Sequence, residues 1–154
     1  MIFVECYNDI DLLLALNLTR NDINHSGNNS SVLIDMNRHN GQTLSIIDED
    51  PNSIPIPQLY DFELVEESFQ LKLLNHKSMD DHKLIIIPEN LELWIQKLAR
   101  QENIELSSFG LLTQRGKMKK RYTRVRRSRL FELFISNRDN NSLKQLIEWV
   151  GRYG

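Results

Sequence analysis

The feature that most limits what this chain can become is the stretch Leu44-Ser45-Ile46-Ile47-Asp48-Glu49-Asp50-Pro51. An apolar, β-favouring run leads straight into three carboxylates, and a proline then ends any ladder of hydrogen bonds. Runs of this kind, bounded by turn signals, are expected as buried strands of a parallel sheet. Ligands of open α/β sheets bind just beyond the carboxyl ends of such strands. Three acidic groups there repel one another. Two readings follow: a solvated acidic turn, or a site for a hard divalent cation, since Mg²⁺ takes one or two carboxylates and keeps several waters. In an extended segment Asp48 and Asp50 point the same way and Glu49 the other. Asp48 and Asp50 are therefore the pair able to share a metal, with Glu49 supporting them or solvated.

The same layout occurs twice more. Ile2-Phe3-Val4 reads as a first strand ending at Glu5, followed by a helix over Ile10–Leu18 that Asn8 or Asp9 would cap. Lys83-Leu84-Ile85-Ile86-Ile87-Pro88 reads as the clearest buried strand, ending in Glu89-Asn90-Leu91-Glu92. An amphipathic helix follows through Leu93, Trp94, Leu98 and Ala99. Glu92 falls in its first turn, where the helix dipole favours an anion in any case. Three strand ends thus deliver carboxylates, and strands alternating with helices imply an α/β chain with a mostly parallel sheet.

Between these units, residues 19–31 are nearly all polar and predict a loop, with a short strand around Ile23. His25 and the Ser26-Gly27-Asn28 turn offer backbone amides to a phosphate, although the spacing is not that of a P-loop. A helix is expected from Ser31 to Arg38, with Asn40-Gly41 as its C-cap. Pro51, Pro55 and Pro57 stiffen the next loop. Phe62–Val65 and Phe69–Leu74 are expected as strands, with a polar turn over Asn75–Asp81.

At 154 residues the chain is long enough for one domain with a substantial core. No apolar stretch approaches the roughly 18 residues of a membrane span, and the first residues lack the basic lead-in of a signal peptide. The single cysteine, Cys6, excludes an internal disulfide and points to a reducing, cytoplasmic setting. With no histidine close by in sequence, Cys6 is expected to be a small buried residue, not a nucleophile.

The net charge of −2 hides an asymmetry. Residues 1–100 hold 7 Lys/Arg against 16 Asp/Glu, and residues 101–154 hold 12 against 5. Residues 115–129 alone carry nine basic side chains, among them Lys117, Lys119, Lys120, Arg121, Arg124, Arg126 and Arg127, with no acid between them. Such density is the footprint of a phosphate-backbone contact, the plainer reading being a solvated helix face. Helices are expected over Leu130–Ile135 and Ser142–Val150.

Laid out this way, the chain resembles the TOPRIM fold shared by topoisomerases, bacterial primases, recombination mediators and some nucleases. The pattern is carried by Phe3-Val4-Glu5-Cys6-Tyr7-Asn8-Asp9 and by Ile46-Ile47-Asp48-Glu49-Asp50-Pro51. Small stand-alone bacterial TOPRIM-like proteins add an element that here reads Ile87-Pro88-Glu89-Asn90-Leu91-Glu92-Leu93-Trp94-Ile95. The likeness runs on into Asn103-Ile104-Glu105-Leu106 and Phe109-Gly110-Leu111. One departure stands out: Cys6 occupies the place of the usual glycine. The resemblance implies a single TOPRIM-like, Rossmann-like domain over 1–154, an acidic α/β core over 1–100 and a basic helical extension over 101–154. It further implies Mg²⁺ or Mn²⁺ on Asp48 and Asp50, Glu5 as acid/base or further ligand, and support from Glu92 and Asp9. The activity it implies is a metal-dependent nuclease acting on DNA or RNA. The alternative is a non-catalytic module that binds nucleic acid or a partner protein, for example in an anti-phage or toxin-type system. A phosphotransfer receiver would need a strand-end lysine, and none is evident.

Overall fold

A computed structural model describes residues 1–49, 55–112 and 124–154, with the backbone alone for 124–127. The sheet has six strands: β1 (Ile2–Val4), β2 (Ile23–His25), β3 (Thr43–Glu49), β4 (Phe62–Ser68), β5 (Leu71–His76) and β6 (Met79–Pro88), in the order β2-β1-β3-β6-β5-β4. The first four in that order run parallel, and β5 and β4 are antiparallel additions. The chain is therefore α/β, with a mostly parallel sheet flanked by helices.

Among the described residues the α-helices are α1 (Tyr7–Ala15), α2 (Asn29–Arg38), α3 (Leu91–Gln101), α4 (Arg124–Ser136) and α5 (Asn141–Tyr153), with α4 packed on α1. Alternation along the strands assigns each side chain to a face. On β3, Leu44 and Ile46 join the larger core with α1, α3, α4 and α5. Ile47, one step out of phase, joins Phe3, Leu84 and the α2 residues Val32, Leu33 and Met36 in the smaller core on the other face. Ile85 and Ile87 are fully excluded from solvent. Each such burial contributes about 1.5–3 kcal/mol, which is why the uninterrupted isoleucine run can only sit inside a two-sided sheet. Among the described residues, no helix is long and apolar enough to cross a membrane.

Several boundaries differ from the sequence reading. Helix α1 begins at Tyr7, three residues earlier than expected, with Cys6 as its N-cap residue. Asp9 is not the cap; it is the third residue of the helix, and its Oδ2 accepts from the Cys6 amide at 2.8 Å. Helix α2 begins at Asn29, because Asn28 Oδ1 accepts from the Ser31 amide at 2.9 Å. It ends at His39 in extended backbone, so Gly41, at φ +98°, serves the turn after the helix and not the C-cap. Phe69 belongs to the β4–β5 turn and not to a strand. The expected turn over Asn75–Asp81 shrinks to Lys77-Ser78, because β6 pairs with β5 back to Met79. Helices α4 and α5 outrun the expected bounds at both ends.

Candidate functional site

The strand order 2-1-3 sets the site. Helix α1 lies on one face of the sheet and α2 on the other, so the carboxyl ends of β1 and β3 flank the point where the chain switches direction across the sheet. Glu5 follows β1 directly, Asp48 lies near the end of β3, and the end of β6 leads into Glu92 in the first turn of α3. Because β1, β3 and β6 are parallel neighbours, all three ends emerge on one edge. Asp9, in the first turn of α1, joins them and is only 3 % exposed.

Electrostatics show how closely these groups meet. Burial, then Asp9, Glu5 and Glu92 in that order, push the Asp48 carboxyl up to about 8, against one opposing bond from the Leu91 amide. That amide donates to Asp48 Oδ1 at 3.1 Å. Asp9 is pushed up to about 7, mainly by burial and further by Glu5 and Glu92, while its bonds with Cys6 act the other way. Burial also pushes the Cys6 thiol up, which keeps it protonated and a poor nucleophile. Asn8 completes the group. Its Nδ2 donates to Glu92 Oε1, joining α1 to α3, and its buried Oδ1 has no partner among the described residues.

The set is one of crowded oxygen donors, several of them carboxylates. A hard divalent ion such as Mg²⁺ or Mn²⁺ fits it. Glu5, Asp48 and Glu92 bring carboxylates to this edge, with the buried Asn8 Oδ1 nearby. Among the described residues, no three His, Cys, Asp or Glu side chains already stand as a formed metal-binding group. Asp50, expected to pair with Asp48, lies outside the described residues.

Glu49 stands apart. It projects to the α2 face, opposite to Asp48, and pairs with Lys72 at 2.6 Å. The basic residues Lys117, Lys119, Lys120 and Arg121 lie outside the described residues. Arg124, Arg126 and Arg127 fall in the first turns of α4, where only the backbone is described. Two contributors escape a reading of the sequence: Asn8, whose partner is 84 positions away, and Tyr7, whose ring stacks on His25 with centroids 4.4 Å apart. Only the adjacency of β1 and β2 brings the latter two together. Comparison with protein-family models, with curated proteins and with solved structures gives no match to this chain.

Proposed function

We propose that this protein is a TOPRIM-like, Mg²⁺-dependent phosphodiester-handling enzyme, a nuclease acting on DNA or RNA. The observation that carries the reading is the convergence of Glu5, Asp9, Asp48 and Glu92 at the switch edge, where each of the others raises the Asp48 carboxyl. Acidic groups crowded in this way cost stability and gain a purpose when a cation sits among them. Asp48 and Asp50 hold the metal in this proposal, and Glu5 takes or returns the proton of the attacking water. Glu92 is steadied by Asn8, and Asp9 fixes the start of α1 so that Glu5 is presented at the strand end. When bound, the metal stabilises charge on the scissile phosphate and activates water. The basic run from Lys117 to Arg127 holds the nucleic-acid backbone without reading bases.

A second reading, a non-catalytic TOPRIM-like module that binds nucleic acid or a partner protein, draws on Cys6. Its side chain occupies the turn after β1, where the resemblance leads one to expect glycine and close approach of a phosphate.

Calorimetric titration of Mg²⁺ and Mn²⁺ into the wild type and the Asp48→Ala/Asp50→Ala variant separates the two. Binding that vanishes in the variant, with hydrolysis of a labelled oligonucleotide lost alongside it, supports the enzyme. Absence of metal binding, both with and without nucleic acid, overturns it and leaves the binding module. Neutralising Lys119, Lys120 and Arg121 should weaken nucleic-acid binding and flatten its salt dependence while leaving metal affinity intact.

A further inference from the structure

A cavity of about 300 Å³ lies between α3, the start of α5 and the β4–β5 turn, and none of Glu5, Asp9, Asp48 and Glu92 lines it. Trp94 and Leu98, 3 % and 2 % exposed, form its apolar wall. Hydrogen bonds fasten the three elements around it. Trp94 Nε1 donates to Ser142 Oγ at 3.1 Å, and Ser142 Oγ donates to the Phe69 carbonyl at 3.3 Å. Asn140 accepts from the Leu143 amide and donates from Nδ2 to Glu102 Oε1 at 2.7 Å. Phe69 and Gln70 form the wall on the turn side, at φ +50° and +70°. A two-residue hairpin turn of this kind favours Asn-Gly. Strain kept against such a preference marks functional sites, and here both strained residues line the cavity.

The lining selects the kind of ligand. Lys97 is paired with Glu89 at 2.7 Å, Asp139 with Lys144 at 3.6 Å, and Glu102 takes the bond from Asn140. With its charged groups already paired, the cavity suits a neutral guest. Gln70, Gln101 and Asn141 are exposed, and each adds a carboxamide with both a donor and an acceptor. Phe69 leaves 52 % of its surface in solvent. An aromatic ring beside carboxamides matches a nucleobase, whose face stacks and whose edge exchanges hydrogen bonds. The volume is at the low end for small-ligand sites, room for one base and not for a length of strand. Asp48 pairs with Ile87 and Lys72 with Ile86, so the turn lies level with the end of β3, two strands along. At the spacing of neighbouring strands this is on the order of 10 Å from Asp48.

We propose that this cavity is a seat for a single nucleobase, supplied by an unpaired position of the nucleic acid that crosses the acidic edge. The source of the base rests on the phosphodiester-handling reading and names its substrate class. A base held in a duplex has its faces and its pairing edge covered by its neighbours, so only an unpaired base can enter. Once seated, the base fixes where the strand lies along the edge, and with it which phosphate stands at Asp48. The walls are already fastened to one another, which lowers the ordering cost of binding.

The test uses a single-stranded oligonucleotide carrying the fluorescent base 2-aminopurine and an end label, and the free 2-aminopurine deoxyriboside. Ca²⁺ replaces Mg²⁺ to hold off turnover. Anisotropy of the end label reports binding of the strand, and 2-aminopurine emission reports entry of a base. The wild type should bind the strand and quench the base. Phe69→Asn/Gln70→Gly supplies the pair that the turn favours and removes both side chains from the cavity. It should melt above the wild type, so a loss of binding cannot come from unfolding. It should bind the strand about tenfold more weakly, within the range for losing one base stack, and leave 2-aminopurine unquenched. Phe69→Tyr keeps the aromatic face and should match the wild type. Equal strand affinity of wild type and Phe69→Asn/Gln70→Gly, or a bound strand whose 2-aminopurine emission does not change, overturns the base seat while leaving the metal titration above intact. Quenching of the free deoxyriboside by the wild type alone, with no binding of the strand, supports the seat, assigns its base to a free nucleoside and overturns the nuclease reading. Quenching of neither probe overturns the seat.

Discussion

The amide of Leu91, the first residue of α3, donates to Oδ1 of Asp48 at 3.1 Å, tying the end of β3 to the start of a helix 43 residues later. This bond holds the Asp48 carboxylate at the mouth of the switch point, among the groups that raise it to about 8. Asp48→Asn keeps the accepting oxygen and removes the charge. In metal-free protein at pH 8 the variant should therefore be more stable than the wild type, on the order of a few kcal/mol, because a crowded, partly buried anion is gone. The same variant should lose both the thermal stabilisation by Mg²⁺ and the hydrolytic activity. Paired thermal melts with and without Mg²⁺ check this, and a variant less stable than wild type in the absence of metal would refute the crowding.

Stability of the metal-free protein should depend on pH in a direction opposite to that of an ordinary salt-bridged carboxylate. Asp9 and Asp48 are raised, to about 7 and about 8, so the folded state holds their protons more tightly than the unfolded state does. The stability they contribute is fully present below the ordinary carboxylate range near pH 4 and is lost as pH rises through 7 and 8. Melting in a chelator should show a decline from pH 5 to pH 8 that Asp48→Asn flattens. Mg²⁺ should stabilise more at pH 8 than at pH 5, with protons released on binding. A metal-free melting temperature that climbs over that interval would contradict the assignment.

How far the sequence could reveal this site depends on distance along the chain. The Ile85-Ile86-Ile87 run and the Ile46-Ile47-Asp48 strand end identified a buried parallel sheet with acid at its edge, because period and composition act locally. The start of α1 was misplaced because Asp9 is acceptable both as a cap and as the third helical residue. Only its bond back to the Cys6 amide decides between them. The Asn8–Glu92 bond and the Glu49–Lys72 pair join positions 84 and 23 residues apart, and nothing local to either residue announces them. The break between the expected strands Phe62–Val65 and Phe69–Leu74 falls later, at Phe69-Gln70, because neither is a turn residue by composition.

Asn8 offers a sharper test of how full the acidic edge already is. It is 3 % exposed, and it gives Glu92 a donor where Asp9 and Asp48 add negative charge. Asn8→Asp has nearly the same shape but turns that donor into a further acceptor. The metal-free variant should lose about 2 kcal/mol, the usual cost of leaving a buried polar group without its partner. Mg²⁺ should recover more of this loss than it adds to the wild type, because the extra carboxylate becomes another oxygen for the ion. Denaturant titrations with and without Mg²⁺ measure both quantities. A loss that Mg²⁺ leaves untouched would place Asn8 in a purely structural role.

The β4–β5 hairpin carries strain that substitution can release. Ser68 pairs with Leu71, leaving a two-residue turn in which Phe69 has φ +50° and Gln70 φ +70°. Positive φ at both central positions is the type I′ geometry, which favours Asn-Gly and suits the twist of the flanking strands. A bulky residue and a glutamine held there meet the clash of the left-handed region, at about 1–2 kcal/mol each. The Phe69 carbonyl accepts from Ser142 Oγ at 3.3 Å, so the turn is also fixed to the start of α5 by a bond that involves no Gln70 side chain. Gln70→Gly should leave that bond in place and raise stability by about 1 kcal/mol, a gain in melting temperature of about 2–4 °C for a chain of this length. Gly at this position also has more freedom to lose on folding, which opposes the gain and keeps it near the lower figure. The turn lies on the same edge of the sheet as Asp48 but two strands along, beyond β6, and Gln70→Gly removes no charge, so Mg²⁺ affinity should not change. A Gln70→Gly protein that melts at or below the wild-type temperature would show that the left-handed turn is not a source of strain.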